Sequence, residues 1–256
     1  MEFFVLAFIA FVIIAIAMGY YAKKQAEERA LAIASFADAA GLEYAPVLSD
    51  SISGGFFEQL FGDRSASDEG RFLARFQGYK PFGQGHSPEV CNLVYGRRGE
   101  IDWAIFDYTY KVTSSNGKST STTTYHWSVV CARIPVLLPA MTLEPENFLH
   151  RVGSKLGMRE LTFEVEEFNR KYFVRCDQER LAYDLLHPGM IEFLLAQPAR
   201  LWQIGGYQIV LGDSRLLPVS DLKATMSEVE GLVERIPPYF REDRGIAPNW
   251  ESPLES

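Results

Sequence analysis

Asp107 and His126 are the two side chains whose types and spacing come nearest to a chemical device. They lie in two strand-like runs that flank Asn116-Gly117, a pair that tolerates positive φ and is the strongest short-range hairpin signal. If that pair forms a two-residue turn, Ser115 faces Lys118 and Asp107 faces His126. A carboxylate that orients an imidazole is the core of several acid–base devices. No nucleophile is evident beside the pair, so a cross-strand polar pair on a sheet surface is the simpler reading.

The other candidates are thinner. His86, His126, His150 and His187 never share ligand spacing on one element, so no metal site is read from them. Glu164, Glu166, Glu167 and Asp177 form an acidic run whose spacing does not match an EF-hand; it reads as a solvated face. Gly83-Gln84-Gly85-His86 and Gly153-Ser154-Lys155 lack the frame of a phosphate-binding loop, and neither GxSxG nor HExxH occurs. Cys91, Cys131 and Cys176 are too far apart for a CxxC pair and odd in number for a complete disulfide set, which fits a reducing compartment. No cofactor is expected.

Positioning Asp107 and His126 requires a sheet. Strands are expected over residues 90–96, 101–112 and 120–134, with Gly96 opposite Ile101 and hence Cys91 opposite Phe106. Because side chains alternate with period two, one face then carries Phe106, Tyr108, Tyr125, Trp127 and Val129. The other carries Trp103, Ile105, Asp107, His126 and Ser128. Ahead of the sheet, Ile33, Phe36, Ala37 and Ala40 recur at helical spacing, and Gly41 supplies a C-terminal cap. A short strand follows over 42–45. Then come a core cluster of Phe56, Phe57, Leu60 and Phe61 and a polar loop over 62–70.

Beyond the sheet, residues 145–156 read as a helix opened by Pro145, and 163–168 with 171–176 as a loop and strand. Asp177 would cap a helix running to 186, Pro188 opens another through 196, and 202–211 reads as a hairpin around Gly205-Gly206. Over 220–236, Leu222, Met226, Val229, Val233 and Ile236 form one apolar stripe, with Ser220 as cap and Glu228, Glu230 and Glu234 facing water. Helices and antiparallel strands are partly segregated, so the fold class is α+β.

Residues 3–22 carry no charged side chain and would form about 30 Å of helix, the thickness of a bilayer's hydrocarbon core. Tyr20 and Tyr21 close the run, where amphipathic rings favour the headgroup level. Ala15-Ile16-Ala17 resembles a signal-peptide cleavage site, but Glu2 and the lack of a basic start oppose it. Lys23, Lys24 and Arg29 follow the span, which places the domain on the cytoplasmic side. A net charge of −8 argues against nucleic acid as the main partner. The chain therefore divides into an anchor (1–22), a juxtamembrane helix (23–41), an α+β domain (42–236) and a disordered, proline-containing tail (237–256). If the domain is divided, the boundary falls near 140–145.

From Gly78 to about Leu211 the chain resembles a group of uncharacterised bacterial membrane-anchored proteins with a domain of unknown function. The resemblance rests on Asn92, Phe106-Asp107-Tyr108, Leu138-Pro139, Leu143-Glu144-Pro145-Glu146, Phe163, Phe168 and Tyr172. Phe173-Val174-Arg175, Asp177, Leu186 and Pro188 extend it. It implies a membrane-anchored domain and transfers no site residues. The reading that follows is a membrane-tethered cytoplasmic binding or scaffold domain with a protein partner. The alternatives are a hydrolase using Asp107 and His126, separable by whether a deep pocket encloses them, and a domain binding an apolar ligand or lipid, separable by a cavity among aromatics.

Overall fold

The computed structural model describes residues 2–47, 72–117, 119–146 and 159–244. Helix α1 (Glu2–Ala40) leads into β1 (Glu43–Val47), and β2 (His86–Arg98), β3 (Ile101–Ser115) and β4 (Thr120–Pro145) follow. Then come β5 (Arg159–Leu161), α2 (Glu166–Lys171), β6 (Tyr172–Cys176), α3 (Glu179–Leu185) and α4 (Pro188–Ala196). The chain continues through β7 (Leu201–Asp213), α5 (Val219–Glu234) and α6 (Pro238–Arg244). This is the α+β class, an antiparallel sheet behind a long apolar helix.

The long strand β4 is the spine of the seven-stranded sheet. Along one edge β3 pairs with its first half, and β6 takes the same edge from Met141 to Pro145. The other edge is held by β7 from Ser128 to Leu143. Both faces are covered along the first part of β3, which is buried from Ile101 to Tyr108. Trp103, Ile105, Val130 and Ala132 face α1 and the helices α3 to α6. Ala104, Phe106, Tyr108, Trp127 and Val129 face Phe72, Phe76 and Phe82 in the segment 72–83. The two faces are those the alternation predicts.

The register differs from the expected one by two residues. Ser115 pairs with Thr120, so four residues instead of two separate the paired ends. Asn116 closes that connection by accepting the Ser119 N–H on its side-chain oxygen at 2.9 Å. A shift of two preserves the faces but changes the partners, and Asp107 lies opposite Ser128 while His126 lies opposite Thr109. The β2–β3 turn is tighter than expected, with Arg98 opposite Ile101. A bulge at Asn92 (φ 53°) then puts Cys91 opposite Asp107 instead of Phe106.

Several boundaries follow their local chemistry. The Leu42 N–H reaches the Ala37 carbonyl at 2.9 Å with Gly41 at φ 70°, the closure read from Gly41. Pro188 opens α4 as read, and Lys171 Nζ donates to the Leu194 and Leu195 carbonyls at its far end, where a cation suits the dipole. Other expectations are corrected. Pro145 ends β4 opposite Tyr172 instead of opening a helix, while residues 147–156 of that proposed helix lie outside the described residues. The stretch 163–168, read as loop, turns into α2 at Glu166, because acids in its first turn and basics in its last favour a helix. Asp177 does not cap α3, nor Ser220 α5; Gln178 and Pro218 hold those positions.

The supposed hairpin over 202–211 is one continuous strand, β7, in which Gly206 at φ 60° faces an irregularity in β4. The tail does not begin at Pro237, since Pro238 opens α6 and Phe240 is buried. The aromatic cluster at 56–61, the loop at 62–70 and the tail from 245 onward lie outside the described residues.

Helix α5 carries the expected stripe, with Leu222, Met226, Val229 and Val233 buried and Ile236 buried just beyond it. Its buried arc is wider than that stripe, because Thr225, Glu228 and Leu232 are buried too. Glu228 thus does not face water; Arg200 holds it at 2.8 Å. Val229→Asp would place an unpaired charge in this core and should cost ~3 kcal/mol or more. Urea unfolding of the detergent-solubilised chain measures it, and an unchanged midpoint would show that the stripe is not core.

Candidate functional site

Asp107 is 4% exposed and its carboxylate is fully engaged. Arg29 grips it with Nε on Oδ2 and Nη2 on Oδ1, both at 2.7 Å. Asn92 Nδ2 donates to Oδ2 at 2.9 Å and Ser128 Oγ to Oδ1 at 3.2 Å. Tyr44 Oη in turn donates to the Asn92 side-chain oxygen at 3.0 Å. Arg29 Nη1 also reaches the Leu217 carbonyl at 2.6 Å, and the Leu217 N–H donates to Ser128 Oγ at 2.9 Å. The Asn92 bulge exists in the service of this network, because the left-handed backbone aims that amide at Asp107.

His126 is exposed on the distal part of β4 and has no place in the network. The acid–base pair is not assembled: Asp107 is committed to a guanidinium, and its neighbour across the ladder is a hydroxyl. Of the other histidines, His86 bonds Thr113 at 2.9 Å on the surface and His187 bonds the Arg235 carbonyl at 3.0 Å. His150 and the Gly153-Ser154-Lys155 tripeptide lie outside the described residues. Among the described residues no three His, Cys, Asp or Glu side chains converge.

The three cysteines are free. Burial, aided by the Asp107 carboxylate, pushes the Cys91 thiol up to about 11, and burial pushes Cys131 up to about 12. Burial raises Cys176 as well. None is an activated thiolate near neutral pH.

A second buried ionic group pins the opposite face. Lys80 Nζ meets Glu144 at 2.7 Å, with Arg175 on the other carboxylate oxygen at 3.2 Å. Gln203, wholly buried, accepts the Lys80 N–H and donates to the Lys80 carbonyl. This clamp holds the 72–83 segment over the sheet and is closed to solvent.

A larger concave feature with room for a ligand lies elsewhere. A groove of about 1040 Å³ lies between the 162–165 loop, α3, the start of α4 and the α5–α6 turn. Phe163, Leu186, Ile191 and Ile236 form its buried floor, and Val165 and Tyr239 stand exposed at its rim. The loop is fixed from below, where Asn169 accepts the Phe163 N–H at 2.9 Å and donates to the Phe163 carbonyl at 2.7 Å. Phe163 packs edge-on against Phe168 and Tyr183, and Tyr183 Oη bonds the Thr162 carbonyl. Sequence reasoning missed this groove because its walls come from three separate segments, though Pro237-Pro238 marks the turn that forms one side.

No protein-family model matches the chain, and no curated protein does. Among solved structures, the crystal structure of the mycobacterial trehalose monomycolate transport factor A, TtfA, is similar in fold. The TM-score is 0.53 at 12% identity, over 81% of this chain and 96% of that one. The likeness supports the fold alone. Helix α1 is the one helix among the described residues long and apolar enough to cross a membrane, and from Phe8 onward its apolar window is not buried in the domain.

Two measurements test the network and the thiols. Arg29→Ala leaves Asp107 buried without its cation and should cost about 3–5 kcal/mol in chemical unfolding, with Arg29→Ala/Asp107→Leu less harmed than the single variant. A loss no larger than that of an exposed ion pair would disprove the clamp. Because thiolate is the reacting form, alkylation of the native protein should accelerate about tenfold per pH unit as pH rises, with no plateau below the Cys91 value near 11. A plateau near pH 8 would reveal an activated thiol.

Proposed function

We propose that this protein is a membrane-tethered binding domain that receives an apolar ligand, the acyl chain of a lipid, in the groove between the 162–165 loop and α6. The groove carries the reading. Its volume stands at the upper end of what small-ligand sites use, and its floor is made of core side chains, while the charged Glu164, Asp184, Glu234, Arg235 and Arg241 also line it and could meet a polar headgroup. The absence of an assembled dyad removes the only chemical proposal the residues offered. The apolar span of α1 supplies the tether, and Lys23 and Lys24 keep the domain cytoplasmic. Arg29 no longer supports that orientation, since its charge is spent within the fold. The TtfA likeness points the same way, because that protein is named for transport of trehalose monomycolate.

Val165 offers a clean test. It stands at the N-cap position of α2 without a side-chain cap bond and lines the groove rim. Val165→Asp would give α2 the oxygen it lacks while placing a charge against the ligand. A dansyl-labelled fatty acid should bind the full chain in detergent, compete with oleate, and lose at least about tenfold in affinity with Val165→Asp, a difference of about 1.4 kcal/mol. The melting temperature should stay level or rise. Unchanged affinity would move the ligand elsewhere. No binding by either form would favour a protein partner instead.

A further inference from the structure

The distal part of the β3–β4 hairpin is unlike the rest of the sheet. Residues 112–115 and 120–126 are exposed on both faces, whereas the same two strands are buried from Ile101 to Tyr108 and from Trp127 to Ala132. A ribbon with no core to cover needs another reason for its length. Its composition is also distinctive. Val112, Thr113, Ser114 and Ser115 run against a return strand of Thr120, Ser121 and three threonines at 122–124. In a chain of net charge −8, no acidic residue occurs between Asp107 and Glu144.

The direction of α1 says what this ribbon meets. Arg29 binds Asp107, while Leu42, just beyond the helix end, lies 3.2 Å from a Cβ placed on Gly96, which pairs with Trp103. From Arg29 to Leu42 the chain therefore advances toward the start of β3, so α1 followed backward and β3 followed forward both run toward the hairpin tip. Thirteen helical steps span about 19 Å against about 13 Å for four strand residues, so the two are inclined by about 45°. From Arg29 back to Ala22 is about 10 Å of helix, and from Asp107 to Ser115 about 26 Å of strand, or about 18 Å along the helix axis. The ribbon overtakes the point where the apolar span ends.

We propose that this ribbon rests on the phospholipid headgroups of the bilayer that holds α1. Its hydroxyls are suited to phosphate and ester oxygens, and the lack of carboxylates spares it repulsion from anionic lipid. Lys111 adds a cation at its base. Tyr125, 43% exposed and stacked on Tyr110 at 5.2 Å, presents an amphipathic ring of the kind that favours this depth. The ribbon is too polar to enter the hydrocarbon, so it lies at the surface and fixes the tilt of the domain.

The inference rests on the membrane reading of α1, and one experiment separates the two. The full chain with Cys91→Ser carries a nitroxide at Thr122→Cys, at Ser115→Cys or, at the other end of β3, at Glu100→Cys. It is assembled into phosphatidylcholine–phosphatidylglycerol nanodiscs containing a nickel-chelating headgroup lipid. Chain that fails to enter discs overturns the anchor reading itself. With chain in discs, relaxation by nickel should be several-fold stronger at positions 115 and 122 than at 100. Equal relaxation at all three positions overturns the ribbon's contact and leaves the anchor standing.

Discussion

The bidentate pair between Arg29 and Asp107 is the interaction on which the architecture depends. A long apolar helix and a soluble sheet have no intrinsic reason to share an orientation, and α1 offers the sheet only a short apolar face around Ile33, Phe36 and Ala37. Hydrophobic contact of that kind is non-directional. The guanidinium fork supplies direction, because it satisfies both carboxylate oxygens and leaves one nitrogen for the Leu217 carbonyl. Asn92, Ser128 and Tyr44 fill the remaining positions, so burying the pair leaves no polar partner wanting. Such pairs add little net stability over an apolar substitute, but they specify one arrangement, and here the arrangement is that of helix to sheet.

The same division of labour recurs on the far face. Lys80, Glu144 and Arg175 tie the 72–83 segment to the sheet, while Phe72, Phe76 and Phe82 provide the apolar contact. Arg200 does likewise for α5 through Glu228. These three sets of interior charges are thus fasteners between layers. The groove lies apart from all three fasteners, in the part of the fold held by aromatic packing and a single asparagine.

How much of this the residues announce depends on the range over which each signal acts. The Gly41 closure, Pro188 as helix start, the α5 stripe and the face alternation of the hairpin are local and were legible. The hairpin register was not, because four residues, Asn116-Gly117 among them, separate the paired ends in a connection closed by the Asn116 side chain, and dipeptide chemistry does not count the residues between strands. Glu228 was misplaced because the buried arc of α5 is wider than one stripe. Arg29 was legible in part: it stands four residues before Ile33, on the face that α1 buries, yet a basic residue after an apolar span reads first as a topology signal. The groove has no sequence signal of its own, since it exists only where three distant segments meet.

The contact between Arg29 and the Leu217 carbonyl joins positions 188 apart in the chain. During synthesis α1 leaves the ribosome before any strand of the sheet. Asp107 can be met once β3 exists, but the second half of the latch arrives only with the segment that precedes α5. Until then the latch is only half made. Full attachment therefore waits until all seven strands have been synthesised, and it records that the sheet is complete.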